Sequence, residues 1–249
     1  MLKLKNLHPE FGVEIIGIDL SEALEPNDFS QIELALEQYS LVLFRNQVFD
    51  DDSQVAFSRR FGELEYDHVA YGRERKILYI GRIGNVDKHG QKMGANHERV
   101  VFSTGNEMWH SDSSFRPIPT RFSISYAYEV TPEGGELEFV STRSAYARLS
   151  DKTKDKIENL VAIHDYVYSR SKVGPNAVTP SHAASLPPVP QRLVRKNPVT
   201  GEKNYYVGSH ARSIENWRDV DARALLDDLT TRATRPEDVC RHHWQVGDL

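Results

Sequence analysis

Short apolar runs, each cut off by a turn signal after a few residues, constrain this chain more than any other feature. Residues 11–20 alternate around Val13, Ile15, Ile16 and Ile18, Leu41-Val-Leu-Phe44 is a compact apolar run, and residues 121–128 alternate cleanly. A side-chain period of two marks a strand with one buried face. Glycine and proline punctuate the runs at Thr131-Pro-Glu-Gly-Gly135, through the proline-rich residues 171–191, and at Asn197-Pro-Val-Thr-Gly201. Many short strands of this kind bury their apolar faces most economically in two stacked antiparallel sheets. The expected class is therefore mainly β with peripheral helices, a double-stranded β-helix or jelly roll.

The pattern predicts further strands at 77–80, 136–140, 161–168, 193–194, 205–207 and 239–246, with a hairpin joining 121–128 to 136–140 across the Gly-Gly turn. Four helices are expected. One starts at Pro26-Asn-Asp28 and places Phe29, Ile32, Ala35, Leu36 and Tyr39 on one face. A second is capped within Asp50-Asp-Asp-Ser53 and ended by Gly62, a third covers 150–160, and a fourth covers 218–232 with Leu225, Leu226 and Leu229 inward. Residues 171–191 are expected to form a loop. Residues 81–100 are polar and read as a long loop, with a lid over a site as the functional reading and plain disorder as the alternative.

The 249 residues, 39% of them hydrophobic, suit a single domain over 1–249. A formal net charge of -5 with scattered cations offers no footprint for nucleic acid or anionic lipid. The expected partner is a small soluble molecule, with no nucleic acid and no membrane, and with homo-oligomerisation left open. One cysteine, Cys240, and an N-terminus without an apolar signal core point to reducing cytoplasm. No apolar run is long enough to span a bilayer.

The chemistry concentrates in Trp109-His-Ser-Asp-Ser-Ser-Phe115. On a strand, His110 and Asp112 project from one face, giving an imidazole and a carboxylate side by side. These are two of the three ligands in a 2-His-1-carboxylate iron site, which leaves positions open for substrate and oxygen. His-x-Asp alone is weakly specific; a surface turn would carry it equally well.

Further segments accompany it: Leu41-Val-Leu-Phe-Arg45, Phe61-Gly-Glu-Leu-Glu65, Pro132-Glu-Gly-Gly-Glu136 and Arg241-His-His-Trp-Gln-Val-Gly-Asp-Leu249. With these in order, the chain resembles the taurine/2,4-dichlorophenoxyacetate dioxygenase family over nearly its whole length, and more closely the phenoxyacetate branch. The resemblance implies Fe(II) as metal, 2-oxoglutarate as cosubstrate and O2 as oxidant, with His110 and Asp112 as ligands. It implies hydroxylation of a small organic acid, an aryloxyacetate, which then collapses to a phenol and glyoxylate. By the same resemblance His68, Tyr71, Asn106 and His210 line the second substrate's pocket. A taurine or alkylsulfonate dioxygenase is the alternative, as is a noncatalytic jelly-roll binding protein.

Two departures from the family pattern matter. The family's third ligand, a histidine, and the arginine that grips the far carboxylate of 2-oxoglutarate are expected beyond Leu249, so the domain is read as C-terminally incomplete and without its last strands. Leu137 stands where the family commonly has a threonine that donates to the cosubstrate carboxylate, a bond leucine cannot make.

Overall fold

The computed structural model describes residues 2–66, 79–87, 89–174 and 177–249. The alternation near the N-terminus becomes a three-stranded sheet, in which β1 (Lys3–Asn6) pairs antiparallel with β2 (Val13–Ile16). After α1 (Pro26–Tyr39), β3 (Val42–Leu43) adds to β2 in parallel. Proline opens α1 and Ser40, with φ 66°, closes it, so this helix starts where expected. Its buried Ile32 and Ala35 pack with Ile15, Leu20, Phe44, Phe49 and Leu249. The next helix, α2 (Asp51–Arg59), is capped by Asp50, whose carboxylate accepts from Ser53 N at 2.7 Å, and it adds Phe57 to the same core.

After α3 (Glu98–Ser103) and a 3-10 turn over Thr104–Glu107 comes β4 (Leu137–Phe139), then α4 (Thr142–Ala147), α5 (Asp151–Ile157) and β5 (Val161–His164). The chain continues through α6 (Tyr166–Ser171), α7 (Pro180–Ser185), β6 (Val189–Arg192), β7 (Val194–Lys196), β8 (Lys203–Tyr205) and β9 (Ala211–Ile214), and then α8 (Asp219–Ala233) and β10 (Cys240–His242). β5 lies between β6 and β9, both antiparallel to it. Pro190 sits in β6, an outer strand of this sheet, where a missing N–H is tolerated. The second core gathers here, with Ile157, Ala162, Leu193, Tyr205, Leu226 and Leu229 among its most buried members. Tyr205 satisfies its buried hydroxyl by donating to Leu229 O at 2.9 Å.

Several expectations are corrected. The strand expected over 11–20 is a ladder only at β2, and β1 and β9 were not foreseen. Residues 121–128 keep their alternating exposure but form no ladder strand. Ala127 instead exchanges hydrogen bonds with residues 247 and 248, so the hairpin with 136–140 does not form; β4 pairs with β10, more than a hundred residues away. Alternation reports burial, not the partner. The strand expected over 161–168 stops at His164, because Asp165 accepts from Tyr168 N and starts α6. The loop expected over 171–191 contains α7 and β6, the latter paired with β5. Only Cys240–His242 of 239–246 is strand. Within the expected long loop over 81–100, Val86 bridges Lys92 and α3 begins at Glu98, capped by His97. The architecture is a set of short sheets accompanied by helices. No helix among the described residues is long and apolar enough to cross a membrane.

Candidate active site

His110 and Asp112 lie not in a ladder strand but in extended chain that turns sharply at Asp112, with Ser113 at φ 53°. The two side chains nevertheless meet, with His110 Nε2 3.2 Å from Asp112 Oδ1. Their support comes from distant parts of the chain. Ser209 N donates to Trp109 O at 2.8 Å, and Gly208, at φ 129°, lies so close that a Cβ there would sit 2.9 Å from Trp109 O and 3.0 Å from His110 Cα. Glu65 accepts from Ser113 Oγ at 2.7 Å and Thr120 Oγ1 at 2.6 Å and pairs with Arg116. Gln191 Nε2 donates to the carbonyls of Ser114 and Arg116, and His164 Nδ1 lies 3.0 Å from Ser114 Oγ.

The hydrogen bonds also fix the chemistry of the pair. Met108 O, which can only accept, lies 2.6 Å from His110 Nδ1, so that nitrogen carries a proton and Nε2 is the one that faces Asp112, donating to it when protonated and open to a cation when not. Ser123 Oγ donates to Asp112 Oδ2 at 2.8 Å, leaving Oδ1 toward the histidine. One nitrogen and one oxygen, each oriented from behind by a second hydrogen bond, suit a divalent cation. Burial works against a charge on His110, but the Asp112 carboxylate and the Met108 carbonyl outweigh it and raise its pKa. The hydrogen bond from His110 holds the Asp112 carboxyl below its usual range, against the effect of burial. Among the described residues no third His, Cys, Asp or Glu completes a metal-binding group.

Beside the pair stands an aromatic wall. His210 lies edge-on to His110 with centroids 6.1 Å apart, and it packs on Phe115 at 4.8 Å and Tyr166 at 6.1 Å. Burial, with the charges of His110 and Arg170 adding to it, pushes the His210 pKa down to about 3, so the ring is neutral at neutral pH. Among the described residues its buried Nδ1 has no hydrogen-bond partner. Asn106 is exposed in the 3-10 turn, its Oδ1 accepting from Arg170 Nη2 at 2.7 Å. Leu137, 40% exposed, stands in β4 opposite His242, which faces the buried Asp248. His68 and Tyr71 lie outside the described residues. Arg170, His164, Ser123 and Gly208 were not singled out from the sequence. Ser123 alone carried a signal, standing in the alternating run 121–128 on the face opposite the half-buried Phe122 and Ile124.

A family model described as taurine catabolism dioxygenase TauD, TfdA family, matches residues 3–249. The chain belongs to the TauD/TfdA family. It is 35% identical to an alpha-ketoglutarate-dependent 2,4-dichlorophenoxyacetate dioxygenase of Burkholderia sp. (strain RASC), over 98% of this chain and 83% of that protein. It is 30% identical to an (S)-phenoxypropionate/alpha-ketoglutarate-dioxygenase of Sphingobium herbicidovorans, over 97% of this chain and 83% of that one. The crystal structure of AAD-2 in complex with Mn(II) and N-oxalylglycine superposes with a TM-score of 0.88 at 36% identity, covering all of this chain and 86% of the other. This TauD/TfdA member therefore shares the fold of that neighbour, and the donors at His110 and Asp112 fit the Fe(II) that the family's dioxygenase chemistry requires.

Proposed function

We propose that this TauD/TfdA dioxygenase uses Fe(II), 2-oxoglutarate and O2 to hydroxylate an aryloxyacetate beside its ether oxygen, the product collapsing to a phenol and glyoxylate. The observation that carries the reading is the orientation of His110 Nε2 and Asp112 Oδ1, each fixed from behind, beside a buried neutral aromatic wall. The names of the two relatives supply the substrate class. The jelly-roll architecture belongs to the same proposal, supported by the superposition on AAD-2.

His110 and Asp112 would hold the metal. Bound with 2-oxoglutarate and O2, iron supplies oxidative decarboxylation of the cosubstrate to succinate and carbon dioxide coupled to hydroxylation of the substrate. Met108 and Ser123 orient the two ligands, while Phe115, Tyr166 and neutral His210 exclude water and receive the aryl ring. The family resemblance implies a histidine as the third ligand and an arginine for the far carboxylate of 2-oxoglutarate. A cytoplasmic setting suits a chain with one cysteine, buried at Cys240.

The test is succinate formation and phenol release by the full-length protein over a panel of phenoxyacetates, phenoxypropionates and alkylsulfonates, with and without Fe(II). Phenol release coupled one-to-one with succinate is expected for the aryloxy acids. Succinate formation driven only by sulfonates would overturn the substrate assignment, and none with any member would overturn the activity.

A further inference from the structure

Asp112 is aimed by two stretches of chain, and a single side chain from a third stretch holds both. On one side the backbone passes from Asp112 into Ser113 at φ 53°, a conformation that a residue with a Cβ rarely adopts unaided. On the other, Ser123 Oγ donates to Asp112 Oδ2 at 2.8 Å, three residues after Thr120. Glu65 bridges the two, with Oε1 accepting from Ser113 Oγ at 2.7 Å and Oε2 from Thr120 Oγ1 at 2.6 Å. A closed ring results, running from Asp112 through Ser113, Glu65, Thr120 and Ser123 back to Asp112. Arg116 secures it: Nε lies 2.7 Å from Glu65 Oε1, Nη2 donates to Tyr66 O at 3.3 Å, and the backbone N donates to Ser113 O at 3.0 Å.

Ser113 is buried, so its hydroxyl needs a partner inside the protein. An ionised carboxylate only accepts, and each Glu65 oxygen therefore fixes the direction of one hydroxyl and the rotamer of the residue that carries it. Resting on the metal-site reading above, we propose that Glu65 is a positioning residue for the metal. It holds Ser113 in the left-handed turn and Thr120 at a set distance from it, and so keeps Asp112 Oδ1 turned toward His110 Nε2, 3.2 Å away, where a divalent cation would join them. What the site asks of Glu65 is its hydrogen bonds rather than its charge. Glutamine meets that demand, its oxygen taking the Ser113 proton while its NH2 donates to the Thr120 oxygen.

Mn(II) binding to the full-length protein, followed by titration calorimetry beside a melting curve for each variant, tests this without turnover. Glu65→Ala should bind Mn(II) at least about tenfold more weakly than wild type, as expected when a group that orients a metal ligand is removed. Glu65→Gln should stay within about threefold of wild type. Adding Ser113→Gly to Glu65→Ala should recover at least about threefold of the loss, because glycine takes the positive φ without being held. Ser113→Ala and Thr120→Val each remove one hydroxyl and leave the carboxylate in place. Each should weaken Mn(II) binding by about threefold or more, and this pair decides the matter if Glu65→Ala does not fold. Wild-type affinity in folded Glu65→Ala, or in both hydroxyl variants, would overturn the inference and leave the dioxygenase reading standing. So would a loss in Glu65→Gln equal to that in Glu65→Ala, or no recovery with Ser113→Gly. A wild type that binds no Mn(II) would overturn the metal-site reading and this inference with it.

Discussion

Acid should unfold this protein partly through one histidine remote from the surface. His164 is 1% exposed at the end of β5, stacked on Tyr206 at 5.1 Å with its Nδ1 3.0 Å from Ser114 Oγ. Burial pushes its pKa from 6.5 down to about 4. The folded state therefore holds it neutral, while the unfolded chain takes up a proton as pH falls below 6.5. Stability is fully present above that value and is lost on the way down to pH 4. The gap corresponds to about 3 kcal/mol in all, with about 2 kcal/mol of it gone by pH 5.

The perturbation is His164→Gln, which can keep a hydrogen bond to Ser114 but has no proton to gain. Urea denaturation of both proteins at pH 7 and pH 5 gives the relevant difference, because carboxylates that titrate in both cancel. The variant should be less stable at pH 7, having lost the stacked ring, but wild type should lose about 2 kcal/mol more than the variant between the two pH values. Parallel stability curves would refute the reasoning and mean that His164 accepts a proton in the folded protein.

Other outcomes follow from the site. His110→Ala or Asp112→Ala in the full-length protein should abolish iron-dependent succinate formation with little change in melting temperature, as each removes one of the proposed ligands. Gly208→Ala should cost about 1–3 kcal/mol from its positive φ, and should weaken Mn(II) binding because the new Cβ drives into Trp109 O and His110 Cα; denaturation and metal titration read the two effects separately. Leu137→Thr should tighten 2-oxoglutarate binding by a factor consistent with one hydrogen bond to a charged group, about 1.5–3 kcal/mol, in a direct titration.

Local chemistry made part of this legible in advance. Pro26 and Asp50 open their helices as their residue types demand, and the Asn197–Gly201 turn joins β7 to β8. What stayed hidden was decided by partners far along the chain. Residues 121–128 carry a strand's alternation but meet residues 247 and 248, and β4 finds β10 instead of its neighbour. The His110–Asp112 pair was visible as spacing, although a turn rather than a strand brings the side chains together. The groups that orient it, Ser123, Gly208 and the Met108 carbonyl, gave little sign, since a serine, a glycine or a backbone oxygen announces no role until something is packed against it.

Residues 247–249 are threaded between the first sheet and residue 127: Leu249 and Phe44 exchange both backbone bonds, Gln47 N donates to Gly247 O, and buried Asp248 pairs with Arg45 at 2.6 Å across a separation of 203 residues. On the ribosome, this closure must wait until residues 247–249 clear the exit tunnel, long after β1, β2 and α1 have been made. Until then the N-terminal region holds its apolar core open beside Phe44 and Phe49, a state prone to aggregation. Nascent chains stalled before residue 247 should be cut by protease within this N-terminal region, and chains released with it in place should resist.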